Sequence, residues 1–406
     1  MRWLIVEDAL LNRKGHWFEA VTTFYQGFRQ MGDEVVVLAD AAVAPDIQDS
    51  LAAVPILPPS IWHRAGDGSG RATRYARVLI HPWQTLRIMR RYLEANEQFD
   101  AIFVPTVGLY HLLAWVWLIK RTLRKRPTRV LLFFLTLPVR WDSKSGRPVP
   151  DGSPTSRLFF RLLICLEPEV KSGKVVLGAE IGPIRAAMES LSGVPAILFP
   201  QIVIPFPTSE SVLPPARDGI GMGCYGPSRA EKGSDVLQAA ITIYRRRFPE
   251  GRARFTIHWT EDFAADGARV VSKSPDLLRD PRVQYLTRFL THDEYEEQLK
   301  RTQVMLLPYR LAGYRLRGSR VVIEAVVNGL PVIATRGTAL AGMVEVFGAG
   351  LFCEDGDPES LALAIREMET RYDELDRAAK EKAIAAAREF SIESFRRVFL
   401  GAGSTA

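Results

Sequence analysis

Short apolar runs rich in β-branched residues alternate with longer stretches of helical periodicity along almost the whole chain. In the first half, residues 3–6, 34–38, 101–105, 130–135, 175–177 and 196–200 read as strands. Between the first two, Phe18, Val21, Phe24, Tyr25 and Phe28 recur at helical spacing, and Gly32 supplies a helix stop. Repetition of this strand–helix–strand unit, with strands apolar on both faces, predicts a parallel sheet covered by helices on each side.

Residues 205–219, PFPTSESVLPPARDG, break the pattern with four prolines and read as an extended linker. The alternation then restarts with candidate strands at 220–225, 253–259, 283–286, 304–308, 332–335 and 350–353, and with a helix beginning at Ser234. Around residue 324 the segment VVIEAVV has strand propensity, but Asn328-Gly329 followed by Pro331 is a helix stop, and a helix is expected there. Residues 372–400 read as helical and charged apart from Phe390, Phe395 and Phe399. The expected class is α/β: a doubly wound domain over 1–204, the linker 205–219, and a second such domain over 220–385. A closing helix within 386–406 is expected to pack back on the first domain. There is no shorter internal repeat.

Composition agrees with this picture. A chain of 406 residues, 47% hydrophobic and 24% charged, is globular and longer than one core usually supports. Its net charge of +7 is unevenly placed: residues 64–147 hold 16 Lys/Arg against 5 Asp/Glu. Such a stretch attracts lipid headgroups, nucleic acid or a phosphorylated substrate, and charge alone does not choose between them. No recognition motif accompanies it, so no nucleic-acid partner is expected. Three scattered cysteines argue against a disulfide framework or zinc site, and MRWLIVED is no signal peptide, so a cytoplasmic protein is expected. Pro105 and Gly108 divide the apolar stretch 101–119 into a strand and a helix that runs into KRTLRKR. Trp115, Trp117 and Leu118 beside that cluster suit a helix lying at a membrane surface; the alternative is a helix packed on its own sheet with a solvated basic end.

Two segments carry candidate chemistry. In GCYGPSRAEKGSDVLQAAI, residues 223–241, a strand leads through a loop with Gly226 and Gly233 to a helix capped by Ser234. Glycines permit close backbone approach to a phosphate, a helix start favours negative charge, and Arg229 and Lys232 add two cations suited to a diphosphate. An ordinary strand–helix turn with solvated charges is the alternative. In the second segment, residues 304–335, Glu324 is the only charge between Val321 and Val327. A carboxylate among apolar neighbours needs a partner: paired sugar hydroxyls, a nearby arginine, or water. His111, at the start of the helix after strand 101–105, is a candidate sugar or acceptor contact, with His16 a weaker one. Trp141 lies in the polar loop 136–157, which reads as an acceptor loop or a surface excursion. His258 reads as structural, and His63, His81 and His292 carry no local signal.

An arginine and an EKG lysine after a strand, then LLPY, then GSxxxxEAxxxGxPVIAT resemble the retaining glycosyltransferases of family four, the glycosyl transferases group 1. The likeness covers most of the second domain. The first fits more loosely, through Gly15 after strand one and the GDEVVVLAD strand. The resemblance implies a GT-B fold, two Rossmann-like domains facing across a cleft, with a UDP- or GDP-sugar donor on the second and the acceptor on the first. By motif position Glu324 would hold the ribose hydroxyls and Lys232 and Arg229 the diphosphate. Gly15, Gly226, Gly318, Ser319 and Arg320 would complete the donor site. No metal and no cofactor is implied; the catalytic set would be Arg229, Lys232 and Glu324.

Leu316 stands where the family has a second Glu, Arg320 where a small or apolar residue is common, and Pro227 where Arg is frequent. In retaining members the leaving diphosphate takes the acceptor proton, so no protein base is needed, whereas an inverting enzyme needs an Asp, Glu or His beside the acceptor. Three readings follow: a retaining transferase of polysaccharide, glycolipid or glycosylated-metabolite synthesis; an inverting transferase or sugar-nucleotide epimerase; and a non-catalytic module of the same architecture. The basic stretch of the first domain suggests an anionic or lipid-linked acceptor and a peripheral place on the inner membrane face.

Overall fold

The apolar runs form two parallel sheets. The structure is a computed structural model that describes residues 1–13, 16–60, 71–206, 219–265 and 269–402. The chain divides into two compact units, Met1–Ile202 with Ile392–Ala406, and Val203–Ser391.

In the first unit the strands are β1 (Arg2–Glu7), β2 (Glu34–Asp40), β3 (Ala53–Leu57), β4 (Ala101–Val104), β5 (Arg129–Phe134), β6 (Val139–Asp142), β7 (Arg147–Pro150), β8 (Val175–Ala179) and β9 (Ile197–Leu198). Seven of them make a sheet in the order β3-β2-β1-β4-β5-β8-β9, with every neighbouring pair parallel. Strand β3, AVPIL, was not anticipated because it contains Pro55; a proline is tolerated there because β3 is at the sheet edge. Nor is 136–157 a loop throughout: β6 and β7 pair antiparallel, setting Trp141 opposite Pro148.

The helix Leu109–Lys120 packs on its own sheet. Trp115 and Leu118 are fully buried, which corrects the expectation that they lie at a surface. The helix lies against the helices Arg71–Ala95 and Pro154–Cys165, and only Trp117 of the three reaches solvent. Among the described residues no helix is long and apolar enough to cross a membrane.

The final stretch is two helices, Tyr372–Glu389 in the second unit and Ile392–Gly401 in the first. Phe395 enters a ring cluster with Phe24, Phe199 and Phe103 at centroid distances of 4.8, 4.9 and 5.3 Å, and Phe399 lies 4.8 Å from Trp3. A side chain at Gly27 would collide with Ile392, so this helix sits directly on His16–Gln30. Asp33 anchors the same corner: it accepts from the terminal ammonium at 2.7 Å, from Trp3 Nε1 at 3.0 Å and from Arg396 Nε at 2.9 Å. Although burial opposes it, this set of donors holds the Asp33 carboxyl below its usual range.

The second unit contains β10 (Gly221–Cys224), β11 (Arg254–His258), β12 (Phe263–Ala265), β13 (Arg269–Val271), β14 (Val283–Leu286), β15 (Val304–Leu307), β16 (Val332–Thr335) and β17 (Gly350–Cys353). Its main sheet has the order β14-β11-β10-β15-β16-β17, again all parallel. Counted in chain order this is third, second, first, fourth, fifth, sixth, the doubly wound arrangement of a Rossmann domain. Residues 320–327 are helical despite their β-branched content, and Val322, Ile323, Ala325, Val326 and Val327 are buried. Of the expected linker, 207–218 lie outside the described residues. Phe206 N–H donates to Asn328 Oδ1 at 2.8 Å, and so 203–206 belong to the second unit.

Replacing Phe395 by Ala removes a ring from the centre of the first unit's core and is expected to cost about 3–5 kcal/mol. Urea unfolding of wild type and variant, followed by near-UV circular dichroism, measures it; a change within error would show that the helix is a peripheral attachment.

Candidate functional site

In a doubly wound sheet the two strands at the point of reversal send their crossovers to opposite faces, which leaves a crevice beyond their carboxyl ends. In the second unit those strands are β10 and β15. From β10 the chain continues through Tyr225 to the loop 226–233, and from β15 through Pro308 to Tyr309.

Two glycines bring these segments together. Gly233 has φ +65°, and a Cβ there would lie 2.0 Å from the Pro308 carbonyl oxygen, so the loop backbone is pressed against the end of β15. Gly226 has φ +89°, and a Cβ would lie 2.2 Å from Lys232 Nζ. The ammonium thus occupies the space above Gly226, 5.6 Å from the centre of the Tyr309 ring. Burial disfavours its charged form and lowers the Lys232 pKa to about 8. Cys224 beside it is a thiol at neutral pH, since burial pushes it up to about 11.

Arg229 is half exposed on the same loop. Glu231 Oε1 lies 3.6 Å from Arg229 Nη1 and accepts from Arg317 Nη1 at 3.2 Å, so one carboxylate holds two guanidinium groups near Lys232. Ser234 does not cap its helix: its Oγ accepts instead from Arg229 N–H, which fixes the loop. His258, at the end of β11, accepts from Gly226 N–H through Nδ1 at 3.2 Å. Its other nitrogen, at 2.9 Å, therefore donates to the Arg288 carbonyl. This imidazole is structural, and burial lowers its pKa. Arg288 belongs to a hollow of ≈ 510 Å³ at the end of β14, lined also by Tyr285, Leu286, Glu294 and Gln298.

Glu324 is buried, with both carboxylate oxygens engaged. Oε1 accepts from Arg320 Nε at 2.8 Å and Oε2 from the Tyr295 hydroxyl at 2.6 Å. An arginine partner one helical turn away is therefore present, as one of the alternative readings of this carboxylate required. A carboxylate has about four acceptor positions, so two bonds fix its orientation and leave capacity for a ligand. Burial, reinforced by Glu324, keeps the Tyr295 hydroxyl protonated. Tyr309, raised likewise by burial, feels Cys224 and Glu324 together. Tyr225 packs edge-on against Tyr295 at 5.7 Å. Lys232 and Glu324 accordingly border one tyrosine-lined region. Gly318 and Ser319 lead into the Arg320–Val327 helix there, and the Ser319 side chain is spent on no cap. Leu316 lies in the preceding turn, among Arg315, Arg317 and Arg320 and with no acid in its place.

The first unit holds its own cluster where its sheet reverses, between β1 and β4. Asp8 follows β1, and its Oδ2 lies 2.7 Å from His81 Nε2 and 3.0 Å from His111 Nε2. Gly108 N–H donates to His111 Nδ1 at 3.0 Å, which places the His111 proton on Nε2, facing Asp8. Burial alone would raise the Asp8 carboxyl, but the imidazoles, His111 foremost, hold it well below its usual range. Glu7 next to it is pushed up by burial and then by Asp8. The three donor atoms of Asp8, His81 and His111 lie within 4.8 Å of one another, close enough to share a cation, while hydrogen bonds at these lengths account for the geometry.

Of the expected residues, Gly226, Arg229 and Lys232 lie on the loop after β10, and Gly318, Ser319, Arg320 and Glu324 lie on the segment that leads into and forms the Arg320–Val327 helix, all in the second unit. His111 is buried in the first unit, with both ring nitrogens engaged, and Trp141 is half-buried on the β6–β7 hairpin. Gly15 lies outside the described residues, as does the side chain of His16, whose backbone opens the helix His16–Gln30. Sequence reasoning missed Tyr225, Tyr295, Asp8 and His81. Asp8 and Tyr225 had a usable signal, Asp8 two residues beyond the apolar run 3–6 and Tyr225 closing the run 220–225, each at a sheet's point of reversal.

Residues 221–370 match the family model described as glycosyl transferases group 1. No curated protein sequence matches the chain. Among solved structures, HepE of Anabaena in complex with UDP is similar over 100% of both chains, with a TM-score of 0.64 and 13% identity. A glycosyltransferase from Rickettsia africae gives 0.64 and 11% over 100% of both chains. Sucrose-phosphate synthase from Thermosynechococcus elongatus gives 0.60 and 14%, covering 100% of this chain and 98% of that one. Together with the two doubly wound units, these findings make residues 221–370 a glycosyl transferases group 1 domain and the chain a glycosyltransferase with the GT-B fold.

Proposed function

We propose that the chain moves a sugar from a UDP- or GDP-sugar, bound at the point of reversal of the second sheet, to an acceptor with retention of anomeric configuration. The observation that carries this is the Lys232 ammonium held over Gly226 against Tyr309, backed by Arg229 and Arg317. Departure of a nucleoside diphosphate develops negative charge at one place, and cations fixed there before reaction stabilise it. Glu324, oriented by Arg320 and Tyr295, retains acceptor capacity for two ribose hydroxyls. The hollow at the end of β14 is of a size suited to a nucleoside, and His258 links it to the phosphate loop. The HepE complexes with UDP and with UDP-glucose support a donor of this class.

His111 is not placed to act as a protein base. A general base needs a free nitrogen, and both of its nitrogens are taken, by Gly108 N–H and by Asp8. Arg317 and Arg320 supply positive charge in the segment where Leu316 replaces a carboxylate. The acceptor falls to the first unit, whose basic excess favours an anionic or lipid-linked molecule.

Among nucleotide sugars tested by thermal shift, at least one is expected to raise the melting temperature of wild type and to leave Lys232→Ala and Glu324→Ala unmoved. A wild-type protein indifferent to all of them would overturn the donor assignment. With that donor, Lys232→Ala is expected to lower kcat by about 10²–10³ in a transfer assay. Affinity for the free nucleoside diphosphate should fall as pH rises through about 8, because deprotonation of Lys232 removes its charge there. Calorimetric titrations across that range should show the fall in wild type and a flat profile in Lys232→Arg, whose guanidinium stays charged. Proton NMR of the first-formed product should show the donor's own anomeric configuration; the opposite anomer would replace retention by inversion.

A further inference from the structure

The helix Arg71–Ala95 turns His81, Thr85, Met89 and Leu93 inward, so its opposite face is left to solvent. That face carries Leu79, Ile80 and Trp83, which are 73%, 51% and 61% exposed. The stripe continues along the helix with Arg87, Arg90 and Arg91, all exposed. The neighbouring helix Leu109–Lys120 contributes Trp117, and the turn after it contributes exposed Arg121, Arg124 and Lys125. Trp83, Trp117, Arg87 and Arg91 line one shallow hollow of ≈ 390 Å³, so the two helices present a continuous surface.

Charge on this surface is unbalanced. Arg90 pairs with Glu94 at 2.8 Å, and Arg87 lies over the Trp83 ring at 5.7 Å. Among the described residues, no carboxylate forms an ion pair with Arg87, Arg91, Arg121, Arg124 or Lys125.

We infer that this face of the first unit docks on an anionic lipid bilayer. Trp83, Trp117, Leu79 and Ile80 enter the headgroup–acyl boundary, and the five unpaired cations meet the lipid phosphates. Tryptophan places an apolar body and a polar N–H at that boundary, and each cation near an anionic leaflet adds attraction. A single-stranded nucleic acid would also take arginine and tryptophan, but it offers nothing to the two exposed aliphatic side chains. The surface is also a helix face rather than a groove that could track a backbone. With no helix able to cross a bilayer among the described residues, the contact is adsorption. The inference uses no donor-site residue and stands apart from the donor reading.

Co-sedimentation of the full chain with vesicles provides the test. Binding to mixed phosphatidylglycerol and phosphatidylcholine vesicles is expected to be at least about tenfold stronger than to phosphatidylcholine alone, and to weaken as salt is raised. The charge reversal Arg87→Glu/Arg91→Glu and the apolar loss Ile80→Ser/Trp83→Ser should each reduce it about tenfold. All four side chains are exposed, so melting temperatures should stay near wild type. Equal binding to neutral vesicles, or binding unchanged in both variants, overturns the inference. So does inorganic phosphate bound through these arginines with no vesicle binding, or a dimer that Ile80→Ser/Trp83→Ser dissolves with no vesicle binding.

Discussion

Two neighbouring parallel strands whose crossovers leave toward opposite faces must part at their carboxyl ends, and the chemistry of the second unit is built into that gap. The gap is useful only because backbone reaches it. Gly233 lets the loop lie on the Pro308 carbonyl, and Gly226 leaves room for an ammonium where any Cβ would stand. Replace Gly233 and the loop must move away from β15, taking Lys232 with it; replace Gly226 and the new Cβ displaces the ammonium itself. The cation is therefore positioned by main-chain geometry first and by its own side-chain contacts second.

Around that loop the protein has arranged tyrosine hydroxyls and a carboxylate held by Arg320 and Tyr295. Tyr225 and Tyr309 are buried at the ends of β10 and β15, Tyr295 is partly buried beside them, and removal from water keeps their protons in place. Each can donate but none brings a formal charge. Glu324 and Glu231 are thus the acids of a region that also holds Lys232, Arg229, Arg317 and Arg320, with Glu231 binding two of these cations together and Arg320 pairing with Glu324. That polarity is what an anionic, hydroxyl-rich ligand requires. It also explains how a helix of β-branched residues tolerates an acid: Arg320, one turn earlier on the same helix, and Tyr295 from another satisfy it.

Much of this could be read along the chain. Continuous apolar runs separated by helical periodicity led to two doubly wound units, and the glycines of residues 223–241 led to the loop that holds Lys232. What escaped was whatever depends on residues far apart in sequence. His81 has no periodic or motif signal, and it becomes notable only when β1 carries Asp8 beside it. Tyr295 lies in an unremarkable polar helix until β14 and β15 bring that helix against Glu324. Strand β3 was hidden by Pro55 because edge position, which makes proline acceptable, is a property of the sheet. Trp115 and Leu118 misled because tryptophan near lysine and arginine looks the same whether it faces lipid or its own sheet. The exposed tryptophan that matters more, Trp83, belongs to a different helix.

The first unit is not contiguous along the chain: the helix Ile392–Gly401 fills its core after the whole second unit has been threaded. During synthesis the nascent amino-terminal half must therefore wait, without the rings of Phe395 and Phe399 on Trp3, Phe24 and Phe103, until residues 392–401 have been made. A ribosome that stalls or terminates before Phe395 would release a chain with a finished second unit and an open aromatic slot, which is a substrate for holdase chaperones rather than a partly active enzyme.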